Sequence, residues 1–144
     1  MGGLRDSRTE DGLRSAFARE AANNRRLLHF ARRADIEGCS EAAAALRELA
    51  EGSTGHALGL LELLEETGDP VSGAPMGGTD LNLRNALGTE SYEHTEMFPR
   101  YARVAREEGF PEVAAWFELL AAAEGGHSRV LRRALASPFP ADPG

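Results

Sequence analysis

Residues 120–127 read Leu-Ala-Ala-Ala-Glu-Gly-Gly-His, an apolar helical run that ends in a carboxylate and an imidazole. Glu124 and His127 are three residues apart, so on a helix they project from one face, about one turn from each other. Four-helix bundles use this Glu-x-x-His spacing to hold a pair of metal ions in their core. The stretch therefore predicts a helical bundle with a metal site.

A second stretch has the same form but lacks one carboxylate. Residues 51–56 read Glu-Gly-Ser-Thr-Gly-His, so Ser53 stands where Glu124 stands in the first stretch. The two stretches belong to an internal repeat with an offset of about 71 residues. It pairs Leu49 with Leu120, Gly55 with Gly126, and His56 with His127. Each half of the chain is therefore predicted to be one helical hairpin.

Apolar residues recur in steps of three and four over four segments, which predicts four helices. Their expected bounds are about residues 10–36, 40–67, 79–108 and 111–136. Ser40 is expected to cap the second helix, and Pro99 to bend or locally loosen the third. A Gly/Pro-rich crossover at residues 69–78 joins the halves. The fold class is thus all-α: a four-helix bundle made of two helical hairpins joined by a long crossover.

The composition fits one domain and excludes several functions. The chain has 144 residues and a net charge of −7, which argues against nucleic acid. No apolar run approaches the ~20 residues of a membrane span, so we expect a cytoplasmic protein. One cysteine excludes a disulfide framework. We expect an N-terminal arm at residues 1–9, the bundle at 10–136 and a Pro-rich tail at 137–144.

Ionisable side chains interrupt the apolar stripes of the predicted helices. They are Glu20, His56, Glu90, Glu93, Glu124 and His127. A buried, unpaired carboxylate costs several kcal/mol, so it must be neutralised, paired or bound to a cation. Taken singly, each residue also fits a structural role, but six at matching depth favour a metal site. Carboxylates with imidazoles suit iron or manganese.

Four motifs carry a specific resemblance. They are Phe17-Ala18-Arg19-Glu20, Gly55-His56-Ala57, the run from Glu90 to Met97, and Glu124-Gly125-Gly126-His127. With them the chain resembles, over about residues 10–136, the diiron domain of the rubrerythrin family in the ferritin-like superfamily. The resemblance implies a ferritin-like bundle with a dinuclear iron centre, in which all six ionisable residues are ligands.

The resemblance also assigns roles to the ligands. It implies Glu20 as the terminal ligand of the first iron, and Glu124 as a bridge with His127 terminal on the second. Glu90 is the carboxylate of the third helix. Glu93 and His56 exchange at one iron as its oxidation state changes. The implied activity is peroxide reduction with electrons from an external, rubredoxin-like donor, while related bundles oxidise ferrous iron.

The sequence departs from the family pattern at three positions. Ser53 replaces a bridging Glu, and Leu27 and Phe98 replace tyrosines that hydrogen-bond the ligating carboxylates. These departures predict a weakened site. The alternatives are a non-redox protein that binds or sequesters iron, with one metal ion, and a structural bundle that has lost its metal. The two hairpins and the long crossover favour a homodimer, with exchange of hairpins as one route.

Overall fold

Five α-helices and one π-helical turn make up the regular structure of residues 3–137, the part of the chain that the computed structural model describes. Their bounds are α1 Arg8–Ile36, α2 Ser40–Leu64, α3 Thr79–Tyr92, the π turn Glu93–Met97, α4 Phe98–Glu107 and α5 Pro111–Ala136. No strand occurs among these residues. The all-α class, that of a ferritin-like four-helix bundle built from helical hairpins, is confirmed.

The chain divides into two compact units, with the boundary between Pro75 and Met76. Hairpin 1 contains α1 and α2; hairpin 2 contains α3, the π turn, α4 and α5. A glycine with positive φ follows α1 in hairpin 1 and α4 in hairpin 2: Gly38 at 78° and Gly109 at 86°. Only glycine adopts this left-handed conformation without steric cost, so both residues end their helices and turn the chain back.

Hairpin 1 packs through small residues. Ala31 and Ala34 of α1 and Ala43 and Ala50 of α2 are buried, each with less than a tenth of its surface exposed. Small side chains let two helix backbones approach closely, and Leu64 at the end of α2 is the large apolar side chain that is fully buried with them. Leu49 and Leu58 stay mostly exposed.

The N-terminus of α1 is tied by a cluster of hydrogen bonds. Glu10 N–H donates to Ser7 Oγ at 3.0 Å, and Asp6 N–H donates back to the Glu10 carboxylate at 2.6 Å, which is a capping-box arrangement. Arg14 binds the same carboxylate at 2.9 Å and also donates to the Asp69 carbonyl oxygen at 3.3 Å. The hydrogen bonds from Arg14 and from the Asp6 N–H lower the pKa of Glu10.

Hairpin 2 has a small core of its own. Ala102 and Ala105 of α4 and Ala114 of α5 are buried together, and Phe117 packs against them. The Phe117 ring lies 5.4 Å from the Tyr101 ring between centroids. This packing holds α4 against α5.

Three helix boundaries differ from the sequence-based expectation. Cys39, not Ser40, is at the N-cap of α2, and Ser40 is the first helical residue. The helix also ends at Leu64 rather than Thr67, because the N–H groups of Thr67 and Gly68 both turn back to the Leu64 carbonyl. The first helix begins at Arg8, two residues before its expected start at about residue 10.

The third predicted helix is interrupted next to Pro99, where the sequence predicts a bend or a local loosening. A π-helical turn precedes α4, and Pro99 lies in the first turn of α4. Proline has no N–H for the carbonyl four residues back, so the regular hydrogen-bond ladder cannot continue through it. The division into arm, bundle and tail stays a prediction, and residues 138–144 of the tail lie outside the described residues.

None of the helices described here is long and apolar enough to cross a membrane.

Candidate metal centre

Three side chains of hairpin 2 converge on one point. They come from two helices, Glu90 from α3 and Glu124 and His127 from α5, and one ligand atom of each lies within 4.8 Å of the other two. Nδ1 of His127 is 3.4 Å from Oε2 of Glu90 and 3.7 Å from Oε2 of Glu124. The Glu-x-x-His spacing does place both α5 residues on the face that meets α3.

The environment of Glu124 fits a cation. Its Oε2 atom is buried and has no hydrogen-bond partner among the described residues, and the side chain as a whole is 14% exposed. A buried carboxylate oxygen without a donor is costly, and a divalent ion in contact with it would remove that cost. Two carboxylates and an imidazole are also a donor set that iron and manganese accept. The residues present therefore fit a metal ion.

Glu93 lies next to this group, at the start of the π turn, but outside the three-donor cluster. Partial burial, and secondly the negative charge of Glu90, raise the pKa of the Glu93 carboxyl. Both causes disfavour the charged form, so Glu93 holds its proton more tightly than an exposed glutamate. A bound cation would act in the opposite sense and favour the carboxylate.

Hairpin 1 repeats one half of this geometry. Nδ1 of His56 on α2 is 3.4 Å from Oε2 of Glu20 on α1, the same distance that separates His127 from Glu90. The imidazole of His56 is 71% exposed, because a pair of helices covers only one side of each. Within hairpin 1 this pair has no third donor among the described residues.

Ser53 is buried in hairpin 1, with 5% of its surface exposed. Its hydroxyl donates to the Ala50 carbonyl oxygen of its own helix at 2.9 Å. The same oxygen accepts from Asn24 Nδ2 at 2.8 Å and from Thr54 Oγ1 at 3.2 Å. Ser53 is thus a neutral group whose single proton is committed to the backbone, and it brings no negative charge to the site.

The model of the family described as Rubrerythrin matches residues 11–135. The chain belongs to the rubrerythrin family.

Curated rubrerythrins are similar along most of the chain. A rubrerythrin of Nitratidesulfovibrio vulgaris is 37% identical over 134 residues, which cover 90% of this chain and 70% of that protein. One of Porphyromonas gingivalis is 36% identical over 130 residues, 88% of this chain and 65% of that protein. Rubrerythrin-1 of Clostridium acetobutylicum is 33% identical over 137 residues. The chain spans about two thirds of the length of these relatives.

Membership in the rubrerythrin family implies iron binding, and the structure arranges the predicted ligands in two groups. It brings Glu90, Glu124 and His127 together in hairpin 2 and pairs Glu20 with His56 in hairpin 1. The remaining predicted ligand, Glu93, lies beside the first group.

The two positions where the sequence analysis expected tyrosines in the family pattern hold apolar side chains. Leu27 is half-buried, and Phe98 stacks on Phe117 with 6.2 Å between ring centroids; neither has a hydroxyl for a carboxylate. Asn24 and Thr54, which hydrogen-bond each other at 2.7 Å, were not among the predicted site residues. The available signal was a polar Asn24 four residues after Glu20, where α1 should be apolar.

Proposed function

We propose that this chain is a rubrerythrin-like diiron carboxylate protein that reduces peroxide, with activity weakened at Ser53. The proposed metal ligands are Glu20, His56, Glu90, Glu93, Glu124 and His127. The observation that carries the proposal is the meeting of Glu90, Glu124 and His127 around the buried, unpartnered Oε2 atom of Glu124. Membership in the family supports iron as the ion.

The charges of the proposed ligands suit two divalent ions. Four glutamates carry four negative charges and the two histidines bind as neutral imidazoles, so the ligand set balances two ions of charge +2. In both hairpins Nδ1 is the imidazole atom near a carboxylate, so Nδ1 is the proposed metal-binding atom of each histidine. Two ferrous ions, when bound, supply the two electrons that convert one peroxide and two protons to two waters.

The two half-sites are expected to differ in affinity. Hairpin 2 supplies three carboxylates and an imidazole, whereas hairpin 1 supplies Glu20 and His56 only. If Ser53 stands where relatives carry a bridging glutamate, its hydroxyl, bonded to Ala50, leaves that bridge without a carboxylate. We therefore propose that the ion held by Glu90, Glu124 and His127 binds more tightly than the second ion.

Anaerobic loading with ferrous iron tests this proposal. Protein purified without added metal is loaded, passed through a desalting column, and its iron is counted by elemental analysis. The proposal predicts two irons per chain, a higher melting temperature by binding linkage, and rapid oxidation on mixing with hydrogen peroxide. Glu118→Gln, on α5 but in an ion pair with Arg106, is the control that keeps all three properties. No uptake and no shift in melting temperature would reject the proposal.

A second candidate is a non-redox protein that binds or sequesters one metal ion. It is favoured by the same Ser53–Ala50 hydrogen bond, because hairpin 1 then contributes two donors and no bridge. One iron per chain with no change in spectrum on addition of peroxide would select this function. A structural bundle without metal is the third, and it predicts no iron at all.

We also propose the partners of the reaction. The proposed electron donor is rubredoxin-like and external to the helical bundle; the four cysteine ligands of such an iron site are not found within residues 10–136, which contain the single cysteine Cys39. The cytoplasm is the proposed compartment, and ferrous iron is the alternative substrate. Reduction of the peroxide-oxidised protein by a rubredoxin, followed in the visible spectrum, tests the donor.

A homodimer is the proposed assembly, with exchange of hairpins between two copies as one route. Large apolar side chains are exposed on both hairpins, among them Leu58, Trp116 and Leu119, each about three-fifths accessible. Such side chains are usually covered by a partner, and a second copy carries the matching surface. Light scattering at micromolar concentration should give twice 15.4 kDa; a mass of one chain would contradict the dimer.

A further inference from the structure

The segment between the paired glutamate and histidine is one residue longer in hairpin 2 than in hairpin 1, and the extra residue lies in the π turn. Glu20 and His56 are 36 residues apart, whereas Glu90 and His127 are 37 apart, although the two pairs have the same geometry. In the π turn the N–H of Phe98 bonds the carbonyl of Glu93, five residues back rather than four. One extra residue in an α-helix would rotate everything after it by about 100°. The π turn takes up that residue and keeps the faces of α3 and α4 aligned.

A side chain at this turn crosses to α5. Nδ1 of His94 lies 2.6 Å from the carbonyl oxygen of Ala121. A carbonyl oxygen only accepts, so Nδ1 carries the proton and donates it. Ala121 is three residues before Glu124, so the bond anchors the residue after Glu93 to the turn of α5 that carries Glu124.

Gly125 makes room for this contact. A Cβ atom at Gly125 would lie 2.7 Å from Cε1 of His94 and 3.0 Å from its Nδ1, closer than side chains approach. The neighbouring Gly126 is different, because a Cβ there would meet only the Arg129 guanidinium, at 3.7 Å. Glycine within a helix is destabilising relative to alanine. The contact with the His94 imidazole therefore explains on steric grounds why residue 125 is a glycine. It does not explain the glycine at residue 126.

Hairpin 1 has the equivalent contact, made by a smaller side chain. Asn24 follows Glu20 by four residues, as His94 follows Glu90, and its Nδ2 donates to the Ala50 carbonyl at 2.8 Å. Ala50 is three residues before Ser53, as Ala121 is before Glu124. At the position of Gly125 this hairpin has Thr54, whose Oγ1 accepts from Asn24. An asparagine thus makes the same hydrogen bond although the facing residue, Thr54, has a Cβ. The larger imidazole of His94 needs a glycine at the equivalent position, Gly125.

From these contacts we propose that His94 is a positioning residue of the metal centre. It fixes the π turn on α5 and thereby sets where the Glu93 carboxylate lies relative to Glu90 and Glu124. A π turn is an uncommon backbone state that persists only where its surroundings hold it, and the His94–Ala121 bond over Gly125 is such a restraint. The inference rests on the proposed metal function for its consequence, but not for the contact itself.

The test compares two neighbouring glycines of α5 in the full chain. Gly125→Ala places a Cβ against the His94 ring, and Gly126→Ala is the matched control, whose Cβ makes only an ordinary van der Waals contact with Arg129. In metal-free protein, amide hydrogen exchange within Glu93–Met97 should be about tenfold faster in the first variant and unchanged in the second. Titration with Co²⁺, followed by visible absorption, should show affinity about tenfold lower for Gly125→Ala alone.

Rescue distinguishes positioning from general damage. His94→Asn combined with Gly125→Ala recreates the Asn24 contact of hairpin 1, and should restore both slow exchange and Co²⁺ affinity to within about threefold of wild type. His94→Leu, which fills the space but cannot donate, should behave like Gly125→Ala.

Equal behaviour of the two glycine variants, or a damaged Gly125→Ala that the second substitution does not rescue, would overturn the inference. If wild-type protein binds no Co²⁺, the proposed function fails and the inference fails with it as a statement about metal. The exchange measurements would then decide the contact between His94 and α5 separately.

Discussion

Hairpin 1 and hairpin 2 have the same arrangement of a glutamate and a histidine across two helices, but they differ in the charge of the residue beside that pair. Both place a glutamate and a histidine Nδ1 3.4 Å apart across two helices. Beside that pair, hairpin 2 has Glu124 with a buried, unpartnered oxygen, while hairpin 1 has Ser53 bonded to its own backbone. The same Glu–His geometry thus occurs beside a carboxylate in one hairpin and beside a neutral hydroxyl in the other, so packing of the helices, and not the charge at this position, sets it.

The largest expected effect is the loss of Glu124. Glu124→Gln removes the negative charge at the centre of the three-donor group, so iron affinity should fall by about 100-fold or more. Glu20→Gln, in the half-site of lower charge, should weaken only the second ion. Equilibrium titration with ferrous iron under argon measures both. Equal losses of iron affinity in the two variants would contradict the proposed difference between the hairpins.

The next effect is a gain at Ser53. Ser53→Glu gives hairpin 1 the carboxylate that its repeat partner Glu124 provides, so the second ion should bind about 10–100-fold more tightly and peroxide should react faster. Gly52→Glu is the matched control, because it adds the same charge one residue away, about 100° around the helix. If Ser53→Glu destabilises the metal-loaded protein with unchanged turnover, the site is built around serine for another purpose.

A smaller effect is expected from acid, away from the site. The folded-state pKa of Glu10 lies below the ordinary value of 4.5, because the Arg14 side chain and the Asp6 N–H bind the carboxylate. Its stabilisation is therefore full above the ordinary pKa and is lost as pH falls through the lowered pKa. Glu10→Gln should be less stable than wild type at neutral pH and equal to it in strong acid. Urea unfolding of metal-free protein at several pH values measures the difference, and a constant difference at all pH values would refute the assignment.

The smallest effect is the removal of the Ser53 hydroxyl alone. After Ser53→Ala, the Ala50 carbonyl still accepts from Asn24, so no buried acceptor is left unpaired. The free energy of unfolding of metal-free protein should change by less than about 1 kcal/mol. A larger loss, measured by urea unfolding, would show that Ser53 has a structural role that this hydrogen-bond network does not explain.

Much of the fold could be predicted from the sequence because apolar spacing and glycine positions act locally. Periodicity predicted the long helices, and Gly38 and Gly109 end α1 and α4 as turn residues of positive φ. The boundary at Ser40 was wrong because a capping residue is recognised by type, whereas the actual cap depends on where the backbone turns.

The site could be predicted only in part. Glu-x-x-His spacing identified Glu124 and His127, and the structure brings Glu90 to them. The π turn could not be predicted, because periodicity shows an extra residue without showing how the backbone absorbs it. The contact of His94 over Gly125 was also missed, since it depends on the approach of two helices and not on spacing within either.

The spin state of the iron-loaded protein shows directly whether the two ions form one coupled centre. Protein loaded with two equivalents of isotopically enriched iron and oxidised with peroxide is examined by Mössbauer spectroscopy in a magnetic field. The account predicts an antiferromagnetically coupled ferric pair, weaker in yield for Glu20→Gln and absent for Glu124→Gln. Uncoupled ferric ions in wild-type protein, with loading unaffected by Glu124→Gln, would contradict a dinuclear centre built on hairpin 2.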